Sequence, residues 1–346
     1  MLQITQLIYS IFFPFPQSAR AQDLLKEMQS LTEQYPDICP DTFSFASVLN
    51  ALANSPEARA AEEAEQVLKL MEKLYEEGNK NVAPNTVCFA TVIKAYSRSK
   101  EVGSAEKAES ILKWMFAQME EGNKNVKPNT ISFTSVCDAW SKSGQSKAVK
   151  KVEELILWME TLSASGFEGV SANVYTYNTL ITAIARSKDP NKATQAFEVL
   201  TKLKEKPDIQ LNSFSYSSVM NACSFTHGTP SVRNTALRTA IIVLEEAVVT
   251  ADSKDRLNIV YGAFFQTCAN LMQKESDKVR IERIVEAVFR QCCDNGQVDG
   301  MLLGQVQRAC SKQLYLRLLG NFPSFPNVKI QDVPAEWQQH VRRRRR

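Results

Sequence analysis

Glu76-Glu-Gly-Asn-Lys-Asn-Val-Ala-Pro-Asn-Thr86 recurs as Glu120-Glu-Gly-Asn-Lys-Asn-Val-Lys-Pro-Asn-Thr130, at an offset of 44 residues and with one residue in eleven changed. Coincidence does not produce such a match, so the chain is built from tandem copies. The residues after each stretch recur too. Thr86-Val-Cys-Phe-Ala-Thr-Val-Ile93 and Thr130-Ile-Ser-Phe-Thr-Ser-Val-Cys137 are preceded by Thr42-Phe-Ser-Phe-Ala-Ser-Val-Leu49. They are followed by Val174-Tyr-Thr-Tyr-Asn-Thr-Leu-Ile181 and Ser213-Phe-Ser-Tyr-Ser-Ser-Val-Met220. A weaker copy begins at Asn258 and a fading one near Gly300, giving spacings of 44, 44, 44, 39, 45 and about 42.

Each copy reads as two helices. The first runs about a dozen residues, as over Thr86–Arg98. The second is longer, as over Ser104–Glu121, with Ile111, Leu112, Met115 and Met119 at helical spacing. Gly122 is a C-terminal stop, Pro128 prevents the helix from resuming, and Asn129 is placed to cap the next one; Gly78, Pro84 and Asn85 repeat the device. A helical hairpin cannot bury its apolar face alone, and stacked copies share a continuous core. The expected fold class is all-α: a right-handed-type α-solenoid of tandem helix-turn-helix repeats, with one face lined by first helices. The expected organisation is an N-terminal apolar segment with a partial first repeat over 1–41, the array over 42–311, and a C-terminal cap with an arginine tail over 312–346. Within the array the units are about 42–85, 86–129, 130–173, 174–212, 213–257 and 258–299, with a partial copy over 300–311.

Bulk properties narrow the function classes. Arg342–Arg346 supply five of the 41 basic residues, leaving 36 against 38 acidic ones elsewhere, so any basic surface must be local. The eight cysteines include no Cys-x-x-Cys pair, and the histidines are only His227 and His340. That excludes a zinc site and a disulfide framework, and no metal or cofactor is expected. Cys88, Cys137, Cys223 and Cys268 fall in apolar helical patterns and read as small buried hydrophobes. No stretch reaches the eighteen or so apolar residues of a membrane span, so no membrane partner is expected. Leu2–Phe15 is apolar but lacks both the basic start of a secretory signal and the Arg-rich amphipathic pattern of a presequence. It reads as a degenerate first helix of the array.

At 100° per residue the first helix has two distinct faces. Ala90, Lys94 and Arg98 fall within about 60° of Val87 and form a stripe with it, while Phe89, Val92, Ile93 and Tyr96 occupy the opposite, core-facing side. The third copy divides the same way: Ile131, Thr134, Asp138 and Lys142 against Phe133, Val136, Cys137 and Trp140. The fourth presents Tyr175, Asn178, Thr182 and Arg186. Each copy therefore exposes a bulky apolar residue, then a small or amide residue, then a cation. Arg98, Lys142 and Arg186 are each 44 residues apart. A cation at the end of one short helix is accounted for by the helix dipole. That does not explain why the stripe also takes Val87, Ile131 and Tyr175 away from the core pattern. Exposed bulky side chains beside a ladder of cations suit stacked bases on a phosphate backbone. Phe45, Phe89, Phe133, Tyr177 and Tyr216 face the core and are assigned to packing, as are Trp114 and Trp158.

Asn173-Val-Tyr-Thr-Tyr-Asn-Thr-Leu-Ile181 resembles the opening of a pentatricopeptide repeat, and the other openings resemble it more loosely, over roughly Pro40–Ser311. Tetratricopeptide repeats want glycine or alanine on the buried face, where this chain has Leu49, Ile93, Cys137, Ile181 and Met220. The resemblance implies an α-solenoid that binds single-stranded RNA, one base per repeat, in a mitochondrion or plastid. It implies that the second residue of each repeat sandwiches a base: Phe43, Val87, Ile131, Tyr175, Phe214 and Ile259. It further implies that the fifth and last residues read the base edge: Ala46 with Asn85, Ala90 with Asn129, Thr134 with Asn173, Asn178 with Asn212, and Ser217 with Leu257. Thr134 with Asn173 resembles an adenine-reading pair, and Asn178 with Asn212 a pyrimidine pair. Ala46, Ala90 and Leu257 depart from the pattern because they offer no hydrogen-bonding side chain. Lys94, Arg98, Lys142 and Arg186 are the phosphate-facing candidates. The family's usual unit is about 35 residues, so the second helix and following loop are expected to be longer here.

No His-x-Glu with Cys-x-x-Cys, no Gly-rich phosphate loop and no nucleophile–base arrangement is present, so neither catalysis nor a small-molecule substrate is expected. The alternative to single-stranded RNA is a protein-interaction scaffold, since solenoid grooves also take peptides.

Overall fold

The computed structural model describes residues 17–31, 34–35, 38–250, 256–272 and 275–341. Leu2–Phe15 and Arg342–Arg346 lie outside them. The described residues hold fifteen α-helices and no strand. The chain falls into two compact units, Met1–Ala172 and Asn173–Arg346.

The first unit opens with α1 (Gln17–Leu31) and continues as three hairpins: α2 (Thr42–Asn54) with α3 (Ala60–Glu76), α4 (Thr86–Arg98) with α5 (Ser104–Glu120), and α6 (Thr130–Lys142) with α7 (Ala148–Ala164). First helices pack on first helices, α2 on α4 and α4 on α6, and the second helices α3 and α5 each wedge between their own first helix and the next. The second unit repeats the scheme. Its first helices are α8 (Val174–Arg186), α10 (Ser213–Ser224), α12 (Leu257–Leu271) and α14 (Gly300–Ala309). Its second helices are α9 (Lys192–Lys204), α11 (Pro230–Thr250), α13 (Glu275–Asp294) and α15 (Lys312–Leu319). Among the described residues no helix is long and apolar enough to cross a membrane.

Local chemistry sets the helix ends. Asn85 Oδ1 accepts the N–H groups of Val87 and Cys88. Asn129, Asn173 and Asn212 cap α6, α8 and α10 in reciprocal boxes with Ser132, Thr176 and Ser215. At the other end, Gly122 adopts φ 96°, which disfavours any side chain. Its N–H donates to Met119 O and that of Asn123 to Gln118 O, closing α5. The same pair of bonds closes α3, α7 and α13. The second helices α3, α5 and α7 each run 17 residues, and a nine-residue connection follows α5, which is where the extra length of the 44-residue unit goes. Successive connections are clasped together. The Thr42 hydroxyl lies 3.1 and 3.0 Å from Asn81 O and Ala83 O. Thr86 meets Asn125 O and Lys127 O in the same way, and Thr130 meets Gly169 O and Ser171 O.

Two carboxylates fix the register of the first unit's hairpins, and they are again 44 residues apart. Glu109 on α5 accepts Trp140 Nε1 at 3.0 Å from α6, and pairs with Lys113 at 2.8 Å and Lys151 at 3.4 Å. Glu65 on α3 accepts the Tyr96 hydroxyl of α4 and pairs with Lys69 and Lys107. Burial pushes both carboxyls up. The hydrogen bonds and lysine charges outweigh it, and both end below their ordinary value of 4.5. A depressed carboxyl contributes stability above its unfolded-state pKa and loses it as pH falls through the folded one. The unaltered protein is therefore expected to lose Tm as pH drops below about 4.5, and the Glu65→Gln/Glu109→Gln double variant to show a shallower drop over the same window. Thermal unfolding followed by circular dichroism reads the difference, and parallel acid profiles would remove these groups from the account.

Aromatic rings fill the seams between hairpins. Trp158 stacks on Phe116 at 4.7 Å and meets Phe133 edge-on at 4.9 Å, while Trp114 meets Phe89 at 5.1 Å and donates Nε1–H to Glu72. After α15 the chain returns as a strap, with Trp337 packed against Phe289 of α13 and against Phe322.

Candidate nucleic-acid interface

The two faces of the first helices separate as the helical period dictates. Phe45, Phe89, Phe133, Tyr177 and Tyr216 are buried, and so are Cys88, Cys137, Cys223 and Cys268. The bulky residues at the second position of the repeat are open instead: Phe43 50%, Val87 62%, Ile131 67%, Tyr175 64% and Phe214 52% exposed. A globular core has no use for five large apolar side chains held in water at one register position. In the first unit α2, α4 and α6 lie side by side, so Phe43, Val87 and Ile131 form one row. In the second unit Tyr175 and Phe214 stand on the neighbouring helices α8 and α10. Ile259 of α12 is half-buried. Met301 holds the second position of α14 and is 74% exposed. The sequence signal for Met301 was its place in the fading copy at Gly300.

The fifth-position residues sit one turn along. Ala46, Ala90, Thr134 and Asn178 are half-buried at the border of the stripe. Asn178 Oδ1 is buried and has no hydrogen-bond partner among the described residues. A buried acceptor without a donor is costly unless something else supplies one. Ser217 departs from expectation: it is 7% exposed, and its hydroxyl donates to Phe214 O at 3.1 Å. The last-position residues Asn85, Asn129, Asn173 and Asn212 each spend Oδ1 on capping the following helix. What they can still present outward is the amide N–H₂.

The cations have structural partners that a helical wheel does not reveal. Arg98 Nη1 donates to Ala53 O at 3.2 Å and to Asn54 Oδ1 at 2.6 Å, both at the C-terminal end of α2. Lys142 reaches Ser97 O of α4 at 3.5 Å and pairs with Asp138 one turn back on its own helix. These cations therefore meet carbonyls left unsatisfied at the end of the preceding first helix. A guanidinium has five donors, so Arg98 keeps capacity for a phosphate. Lys94 and Arg186 are exposed. The cation side chains of Arg98 and Lys94 thus lie on the same open strip of α4 as Val87.

No group of three or more potential metal-ligating side chains exists among the described residues. Desolvation raises the thiols of Cys88, Cys223 and Cys268, Cys223 to about 12.

Residues 166–224 match a family model described as a pentatricopeptide repeat domain. No curated protein matches the chain. Among solved structures, the chain is similar to the crystal structure of the pentatricopeptide repeat protein PPR10 from maize, at 17% sequence identity and a TM-score of 0.46. That likeness covers 92% of this chain and 48% of the maize chain, so this chain spans about half the length of that protein.

Proposed function

We propose that this chain, a pentatricopeptide repeat protein, binds single-stranded RNA along the open face of its first helices. The observation that carries the reading is the row of exposed apolar side chains at the second repeat position, set beside small or amide residues and cations. Bases have two apolar faces and a polar edge. Side chains such as Val87 and Ile131 cover the faces, and an amide such as Asn178 meets the edge. The buried, unpartnered Oδ1 of Asn178 gains a donor when a base amino group or imide N–H arrives. With Asn212, it fits a pyrimidine. The copies with Ala46 and Ala90 hold a base by stacking alone, so readout is restricted to a few positions. The protein acts without catalysis, in processing or protecting a transcript, in a mitochondrion or plastid.

The test is selection from a pool of random single-stranded RNA by the full chain, followed by enrichment and sequencing. A preferred pyrimidine is expected at the core, and Asn178→Asp is expected to change that base. The engagement of Arg98 and Lys142 in helix-to-helix contacts, together with the buried Ser217, favours a second reading, a protein-interaction scaffold. Salt separates the two. RNA binding gives a slope of log affinity on log salt of about −0.7 per phosphate contact. A pool left unenriched at low salt supports the scaffold.

A further inference from the structure

The first helices are almost free of negative charge. α2, α4, α6, α8, α10, α12 and α14 hold a single acidic residue among them, Asp138 of α6, in a chain that carries 38. A core-facing side excludes charge in any protein. The open side has no such reason, yet at the ninth position of the repeat the other copies carry Asn50, Lys94, Thr182 and Asn221. A surface built to meet a polyanion keeps carboxylates out. Asp138 is the exception, and the helix itself does not call for it. It stands in the second half of α6, where the helix dipole disfavours a carboxylate and aspartate is a poor helix former.

Its partner supplies the reason. Lys142 Nζ, one turn on, donates to Asp138 Oδ2 and lies 3.5 Å from Ser97 O of α4. Both side chains stay partly open to water, and an ion pair of that kind contributes little to stability. What it changes is charge. At the ninth and thirteenth positions α4 presents two cations, Lys94 and Arg98, and Arg98 meets only neutral partners, Ala53 O and Asn54 Oδ1. α6 presents Asp138 with Lys142, which cancel. α2 presents Asn50 with Asn54, which carry nothing. Along the row α2, α4, α6 the positive charge is therefore confined to α4.

We infer that Asp138 is a built-in competitor for the RNA backbone: it occupies Lys142, and so suppresses the phosphate contact that the third copy would otherwise make. This rests on the RNA reading above and names a residue that limits its affinity. A phosphate arriving at a neutral pair releases no counterion and meets a carboxylate of its own sign. The same phosphate arriving at a lysine with no carboxylate beside it neutralises that lysine. A strand lying over Ile131 is then held through its base alone, whereas over Val87 it is held through base and backbone together.

Fluorescence anisotropy of full-length proteins with a labelled random-sequence single-stranded RNA of about thirty nucleotides, across a salt series, tests the assignment. Asp138→Asn keeps the shape of the side chain and removes its charge. It is expected to steepen the salt slope by about 0.7, which is about fivefold tighter binding at 0.1 M salt and no gain toward 1 M. Asp138→Thr, which gives α6 the ninth residue of α8, is expected to do the same. Adding Lys142→Gln to Asp138→Asn is expected to abolish the gain. The control is Glu154→Gln, which removes a carboxylate from Lys150 and Lys151 on the second helix α7 and is expected to leave binding unchanged. A gain from Glu154→Gln equal to that from Asp138→Asn makes the effect one of net charge and overturns the proposal. Unchanged binding by both Asp138 variants overturns it too, while leaving the RNA reading intact. Weaker binding by both means that Asp138 itself touches the strand, and also overturns it. If neither the unaltered protein nor Asp138→Asn retains RNA at about 50 mM salt, the RNA reading fails and the proposal fails with it.

Discussion

Trp140→Ala is expected to lower the stability of the unit over residues 1–172 by roughly 3–5 kcal/mol, the range for deleting a buried aromatic. Trp140 has no exposed surface, and it holds three roles at one seam. Its ring fills the space between α6 and its neighbours. Its Nε1–H is the donor that Glu109 receives from the next first helix. Lys147 and Lys151 lie over its face, at 5.1 and 5.9 Å from the ring centroid. Truncation leaves a cavity and also leaves the Glu109 carboxylate short of a donor. The two costs fall on the same junction. In a stack where each hairpin touches only its neighbours, the damage stays close to its source. Amide hydrogen exchange is expected to quicken in α5, α6 and α7 and to stay unchanged in α10, α12 and α14. Chemical denaturation gives the magnitude. A loss under about 1 kcal/mol would mean the seam repacks, and that the carboxylate–indole bond does not specify register.

The same seam shows where the sequence stops being readable. The 44-residue offset, the capping asparagines and the division of each first helix into two faces were all legible, because each depends on residues near one another in the chain. Phe133 and Ile131 are two residues apart and point opposite ways, and the helical period alone assigns them. Arg98 and Lys142 were not legible in full. A wheel gives the direction of a side chain but not what lies there, and what lies there is the carbonyl end of the previous first helix, at Ala53 and Ser97. Ser217 failed for a related reason. The wheel puts it at the edge of the stripe with the other fifth positions, but its hydroxyl turns back to its own helix at Phe214 O, which spacing does not reveal. Glu65 and Glu109 lie on amphipathic second helices, and the helical period does not say that they meet Tyr96 and Trp140 of the next first helix. The signal available in the sequence is their shared offset of 44, matched by that of Tyr96 and Trp140. The boundary after Ala172 falls where the repeat spacing changes, from 44 residues before Val174 to 39 after it.

Val87→Glu combined with Ile131→Glu is expected to cost about a hundredfold or more in RNA affinity at 0.1 M salt while leaving stability within about 0.5 kcal/mol. The first part follows from stacking, worth roughly 1–3 kcal/mol per base. Two sites are lost, and each new carboxylate also faces the phosphates. The second part follows from exposure: both side chains stand largely in water, so their removal opens no cavity. The control is Leu157→Glu on α7, which is 64% exposed and apolar in the same way but lies on a second helix. If the open face of the first helices is the binding surface, Leu157→Glu leaves affinity unchanged. If it weakens RNA as much as the double variant does, the effect is one of net charge and the face has been misassigned. Placed beside Trp140→Ala, the pair of experiments separates the two sides of one helix. The fourth and eleventh positions of α6, Phe133 and Trp140, answer in stability. The second position, Ile131, answers in binding, because the helix turns the one toward the core and the other toward the strand.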